Sequence, residues 1–135
     1  MVITKTKQQI IQLLESTRFA TLATADQHGV VSTAQMCLIN DGLIVLMQTD
    51  KNFVKVKNIT QNPHVAFNIA SHNFKGTAKT LGHPTSNPIF IEKMKSKHPS
   101  SYESYTNLAN EVLIEIHLTE VRIWDHDKVD LVDLK

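Results

Sequence analysis

The segment from residue 112 to residue 123 constrains the fold most, because its pattern of apolar residues changes phase. Apolar side chains occupy every second position from Val112 to Leu118, and the next two, Val121 and Ile123, are out of step with them. A strand has a side-chain period of two, so it absorbs this change only by carrying one extra residue. We therefore expect a long strand with a β-bulge near Thr119-Glu120, which is typical of small β-barrels.

Five further strands are predicted from short apolar or β-branched runs bounded by turn residues. Turn signals at Asp26-Gln27-His28-Gly29 and Asn40-Asp41-Gly42 separate the first three strands, which we expect to form an antiparallel meander. The six predicted strands are residues 19–24, 30–39, 43–48, 65–69, 74–81 and 112–123.

Helices are predicted where the apolar spacing lengthens to three or four residues. The capping-box pattern Thr6-Lys7-Gln8-Gln9 begins a helix that ends near Ser16, and a second helix lies between Asp50 and Pro63. A third helix starts at Asn87-Pro88 and runs to about Lys97, and Ser100 begins another capping box with Glu103. Six strands with inserted helices favour an α+β barrel over a doubly wound sheet.

Composition limits the function classes. The 14 basic and 13 acidic residues nearly cancel, so no broad positive surface for nucleic acid is expected. The 135 residues fit one domain, and the single cysteine excludes an internal disulfide. No signal peptide or membrane-spanning run is evident, which favours a cytoplasmic protein with no membrane partner. The seven histidines lack ligand spacing, so no metal site is predicted.

Four runs in the first half of the chain occur in an order that is shared with a known family. They are Phe-Ala-Thr-Leu-Ala-Thr from residue 19, Asn-Asp-Gly-Leu-Ile-Val-Leu-Met-Gln-Thr from residue 40, Lys-Val-Lys-Asn-Ile from residue 55 and Asn-Pro-His-Val-Ala from residue 62. In this order and spacing the chain resembles the pyridoxamine 5'-phosphate oxidase-like family of FMN-binding split barrels. The second half resembles it more loosely, through Gly76 and the closing strand ending in Trp124.

The resemblance implies a fold and a class of function. The fold would be α+β and mainly β: a six-stranded antiparallel split β-barrel with short peripheral helices, forming one FMN-binding domain over residues 1–135. Such proteins are usually homodimers with one FMN in each of two interface clefts. The implied function is an FMN-dependent oxidoreductase acting on a small molecule, with NADH or NADPH as a possible donor, but not a true pyridoxamine phosphate oxidase.

Other readings stay open, because family members include haem-degrading relatives and proteins that bind a deazaflavin, and fold does not fix the reaction. The chain could be a non-catalytic flavin- or haem-binding stress or sensor protein. It could also be a barrel that has lost its cofactor and serves as an interaction protein. No catalytic residue is identified from the sequence.

Thr49 and Lys55 are the candidate phosphate ligands. In the family pattern a Thr or Ser ends the third strand, and a basic residue six positions later reaches the flavin phosphate. We expect residues 49–52 to begin a helix, whose free N–H groups favour an anion, and Lys51 is a weaker candidate. The alternative is that Lys51, Lys55 and Lys57 form a solvated helix face and that Thr49 or Asp50 only caps the helix.

The remaining candidates would contact the flavin ring. The resemblance places the second strand along the ring at Gln35, Met36 and Cys37, with Gln48 beside the cofactor at the end of the third strand. Trp124 could pack against the ring. The alternatives are that Met36 is ordinary core, that Gln35 is an edge residue and that Trp124 only fills a packing position.

Two positions depart from the oxidase pattern. The basic residue that often precedes the lysine is Val54 here, and the second-strand arginine falls near Ala34. Both losses weaken the expected anion site.

Overall fold

The computed structural model describes residues 5–135, which form a mainly antiparallel sheet curled into a half-barrel with short helices around it. Neighbouring strands of the sheet follow the order β2-β1-β5-β6-β7-β4-β3, and β8 pairs with β7. The strands are β1 (Phe19–Ala25), β2 (Val31–Cys37), β3 (Ile39–Asp41), β4 (Ile44–Asp50), β5 (His64–Ile69), β6 (His72–Thr80), β7 (Glu111–Asp125) and β8 (Lys128–Asp133).

The β-bulge in β7 is confirmed. Lys75 pairs with Glu120 and Gly76 pairs with Leu118, so Thr119 is the extra residue. Its hydroxyl donates to the Lys75 carbonyl oxygen over 3.2 Å. The extra residue lets the apolar residues on both sides of it face the same core.

The predicted meander of the first three strands forms only in part: both hairpins are present, but β2 does not pair with β4. β1 pairs with β2, but β4 pairs with β3 and β7, at the other end of the strand order. The chain breaks at Leu38, which is fully buried, and this break redirects it across the barrel. Strand pairing here depends on contacts throughout the barrel and not only on the turn between two strands.

The count of six strands is also too low. The predicted strand 30–39 divides into β2 and β3, and β8 follows β7 after a turn at His126, which has a positive φ of 55°. Residues 40–41 therefore belong to β3, and the hairpin turn falls at Gly42-Leu43. Gly42 has a φ of 60°, as such tight turns require.

Short helices pack against the sheet. α1 (Lys7–Ser16) carries the predicted capping box, and α3 (Pro88–Lys97) is capped by Asn87. The second predicted helix starts later than expected: Thr49 and Asp50 extend β4, and α2 (Val54–Gln61) begins after Phe53. The capping box at Ser100 does not form; a short helix, Pro99–Ser101, runs into an irregular helical turn, Tyr102–Thr106.

Two apolar cores hold these elements together. The larger one fills the barrel, with stacked rings of Phe67 and Phe74 at its centre. The smaller one lies outside the barrel, where Leu46 of β4 and Leu113 of β7 pack against Phe90 and Met94 of α3. β4 is thus covered on both faces, which explains its continuous apolar run.

Candidate functional site

The carboxyl ends of β2 and β4 border one open cleft of about 370 Å³. This volume lies within the range of small-molecule sites. Its lining residues are Gln35, Met36, Cys37, Gln48, Thr49, Asp50, Phe53, Lys55, Met94, Ser101, Tyr105, Leu108 and Glu111. The structure thus brings together six of the eight predicted site residues: Gln35, Met36, Cys37, Gln48, Thr49 and Lys55.

Lys55 and Thr49 meet in this cleft. The Lys55 ammonium donates to Thr49 Oγ1 over 3.0 Å and lies 4.8 Å from the centre of the Phe53 ring. Burial lowers the pKa of Lys55, although the carboxylates of Glu111 and Asp50 act in the opposite direction. Within residues 5–135, no carboxylate lies close enough to form an ion pair with this ammonium. It is a partly dehydrated cation with a neutral partner.

Glu111 faces the same space from the first position of β7. It pairs across the sheet with Asp50, and its carboxylate accepts a hydrogen bond from Gln48 Nε2 over 3.0 Å. The fully buried Thr106 donates to Gln48 Oε1 over 2.8 Å, which fixes the direction of the amide. Burial and the neighbouring Asp50 charge raise the pKa of Glu111.

The β2 wall of the cleft is largely apolar. Met36 is buried and belongs to the barrel core, as one of the alternatives holds, but it also borders the cleft. Cys37 Sγ lies 3.7 Å from Ser101 Oγ, and Met94 and Leu108 complete the apolar lining. A flat ring could pack on this wall while its polar edge meets backbone groups of β2.

A second, smaller cavity of about 150 Å³ shares Lys55 with the cleft. Ala34 and Val54, the two positions that depart from the oxidase pattern, both line it, together with Leu22, Thr24, Ser32 and Thr33. Lys55 therefore lies between the cleft and this smaller cavity.

Comparison with known sequences identifies the family. A sequence model of the pyridoxamine 5'-phosphate oxidase family matches residues 6–125. The chain belongs to this family. No curated protein matches it individually.

Solved structures show the fold of this family in related chains. General stress protein 26 from Bacillus anthracis has a TM-score of 0.73 and 20% identity, over 95% of this chain and 98% of its own. The haem storage protein HutZ from Vibrio cholerae has a TM-score of 0.71 and 12% identity, over 89% and 95%. An F420 reductase has a TM-score of 0.64 and 22% identity, over 82% and 93%. At these identities the likeness shows the fold alone.

Two predicted site residues lie elsewhere. Lys51 is exposed in the turn after β4, where its N–H donates to the Asn110 carbonyl oxygen. Trp124 lies at the opposite end of β7 from Glu111, where it pairs with Val129 and is 60% exposed. Neither residue borders the cleft of its own chain.

Other kinds of site have little support among residues 5–135. No three His, Cys, Asp or Glu side chains there are grouped so that they could hold a metal ion. None of the cleft-lining residues is a histidine. His83 lies beside the cleft, but both of its ring nitrogens are engaged, one with Thr85 and one with the Leu108 carbonyl oxygen. No helix in this part of the chain is long and apolar enough to cross a bilayer.

Sequence reasoning missed Glu111, Asp50 and the side of the cleft formed by α3 and the turn after it. Asp50 directly follows the predicted ligand Thr49, so its position in the sequence could have indicated that it borders the site. Glu111 enters the cleft only because β7 pairs with β4 in a register that places it opposite Asp50. Met94 and Leu108 carry no signal that separates cleft lining from ordinary core.

Proposed function

We propose that residues 1–135 act as one FMN-binding domain of the pyridoxamine 5'-phosphate oxidase family and that the protein is a flavin-dependent oxidoreductase. The observation that carries this proposal is the half-buried Lys55 ammonium, held 3.0 Å from Thr49 Oγ1 at the point where a largely apolar cleft meets a smaller cavity. A phosphate ester carries close to two negative charges at neutral pH. Such a cation, with no competing ion pair among residues 5–135, suits that ligand.

Different residues of the cleft would contact different parts of FMN. Lys55 and the Thr49 hydroxyl would hold the phosphate, and the β2 wall from Gln35 to Cys37 would lie along the ring. Gln48, whose amide is oriented by Thr106, would border the ring end of the site. Bound FMN supplies hydride and electron transfer, while these side chains position it and limit the access of water.

The proposal includes a homodimer in which a second copy completes each cleft. Large apolar side chains are exposed around the cleft mouth, namely Phe53, Tyr105 and Leu108, and Val54 is exposed at the neighbouring small cavity; each of the four is more than half exposed. A two-fold partner covering these side chains would remove apolar surface from water and enclose the coenzyme. Sedimentation velocity over a range of concentrations tests this point: a monomer at every concentration would contradict it.

The reaction is expected to use a small molecule and a reduced nicotinamide donor. An absorbance spectrum of the purified protein, repeated after incubation with FMN and gel filtration, tests the cofactor. We expect retained flavin bands that bleach when NADH or NADPH is added and return with an acceptor. Protein that retains no flavin from either preparation would refute the proposal. Bound flavin that no donor reduces would instead favour a non-catalytic stress or sensor protein.

Haem binding is the second cofactor to be tested, because HutZ and other structural neighbours are described as haem proteins. The cleft lining offers no histidine to ligate iron, which favours flavin over haem. A Soret band after haem addition, at an affinity above that for FMN, would reverse this order.

A further inference from the structure

The charged side chains that line the cleft do not balance. Among residues 5–135, Lys55 is the one cation that lines the cleft, whereas two carboxylates, Asp50 and Glu111, face it from paired positions on β4 and β7. With all three ionised, the cleft carries net negative charge at the place where a phosphate would be bound. A phosphate ligand therefore gains attraction from Lys55 and meets repulsion from both carboxylates.

Of the two carboxylates, Glu111 is the one held in position inside the cleft. Gln48 Nε2 donates to Glu111 Oε1 over 3.0 Å, and the buried Thr106 fixes the amide that makes this bond. Asp50, in contrast, uses its carboxylate to accept the N–H of Asn52, which shapes the turn before α2.

We propose that Glu111 is a specificity-determining residue of the cleft: its charge lowers the affinity for phosphorylated flavin relative to the same ring without a phosphate. This inference rests on the proposed FMN site. When Glu111 takes up a proton, its repulsion disappears, and the attraction of Lys55 is opposed only by the charge of Asp50 among the cleft-lining groups of residues 5–135. Binding of FMN is therefore coupled to proton uptake at Glu111, whereas binding of riboflavin is not.

The charged and titratable groups around Glu111 set the sign of this coupling. Asp50 on β4 opposes its ionisation, and Lys55 on α2 and His83 in the loop before α3 favour it. Tyr105 also lines the cleft. Burial is the largest influence and raises the pKa of Glu111. Protonation thus begins above the pH at which an exposed glutamate takes up its proton.

The test compares FMN with riboflavin in Glu111→Gln, which keeps an oxygen that can accept from Gln48. At neutral pH we expect FMN to bind this variant about tenfold more tightly than it binds the wild type, because one like charge has been removed from a partly buried site. Riboflavin affinity should stay unchanged. Glu103→Gln is the matched control: it makes the same charge change on an exposed residue outside the cleft and should alter neither affinity.

Glu111→Ala removes the same charge without the amide and serves if Glu111→Gln fails to fold. The advantage of either variant over the wild type should shrink as the pH is lowered toward the raised pKa of Glu111, because wild-type Glu111 is then increasingly neutral. The phosphate itself gains a proton near pH 6, so the comparison is always between proteins at one pH. Equal gains for FMN and riboflavin, or no gain for FMN, would overturn the inference. If neither wild type nor variants bind FMN, the proposed function itself fails.

Discussion

Replacing Lys55 by methionine is the sharpest test of the phosphate site, because methionine keeps an unbranched side chain and removes only the charge and the donor. The Lys55 ammonium is half-buried and has one neutral hydrogen-bond partner, Thr49. Its contact with a phosphate would be a charge-assisted hydrogen bond, whose loss costs about 1.5–3 kcal/mol. This cost corresponds to a dissociation constant for FMN that is about ten- to a hundredfold higher.

Two features of the cleft push the effect toward the upper end of that range. Asp50 and Glu111 would remain without their only opposing charge in the cleft lining, and both would repel the phosphate. Titration of FMN fluorescence measures the affinity, with riboflavin as the ligand that lacks the phosphate. Lys57→Met, on an exposed position of the same helix, is the control and should bind FMN as the wild type does. If Lys55→Met binds FMN within about twofold of Lys57→Met, the phosphate site is misplaced.

Three further substitutions test the fold and the site. Gly76→Ala would place a Cβ 2.6 Å from the backbone oxygen of His117, so urea denaturation should show a loss of about 1–3 kcal/mol in the free energy of unfolding. Gly82→Ala is the control, because a Cβ there meets no atom within 4 Å and should change this free energy little. Equal effects at the two glycines would contradict the close strand approach. Ala34→Arg adds a cation at the small cavity and should tighten FMN, but not riboflavin, about tenfold; weaker FMN binding would argue against a phosphate there. Burial lowers the pKa of Lys97 to about 8 from 10.5, so the unfolded chain holds more protons between these values and thermal stability should rise with pH there. Lys97→Met should reduce the rise, while Lys55, whose pKa is also lowered by burial, keeps a smaller part of it; an unchanged slope would refute this assignment.

Local sequence signals predicted the parts of the fold that depend on neighbouring residues. The phase change between Leu118 and Val121 located the bulge at Thr119, because side-chain alternation is a property of one strand. The capping box at Thr6 formed for the same reason: its two hydrogen bonds join residues three apart.

Strand pairing could not be predicted in this way. Asn40-Asp41-Gly42 correctly marked a hairpin, but the strand before that hairpin is the three-residue β3 rather than a continuation of β2. The break at Leu38 depends on the fit of a buried side chain in the finished barrel. The extent of β4 likewise depends on β7, since pairing with Val112 and Glu111 keeps Thr49 and Asp50 extended and delays the start of α2.

The same division holds for the cleft. The resemblance to the family predicted Thr49 and Lys55, which are six residues apart, and the structure joins them by a hydrogen bond. Glu111 carried no such signal, because it is distant in sequence and reaches the cleft only through the register of β7 against β4. Its charge changes which ligand the cleft is expected to bind, so the residue that the sequence did not indicate is the one that we expect to influence specificity.

A crystal structure of the protein with bound FMN would show the proposed site itself. We expect the phosphate within hydrogen-bond distance of Lys55 Nζ and Thr49 Oγ1, with the ring along β2 from Gln35 to Cys37. FMN bound elsewhere on the molecule, or with its phosphate away from Lys55, would contradict this expectation.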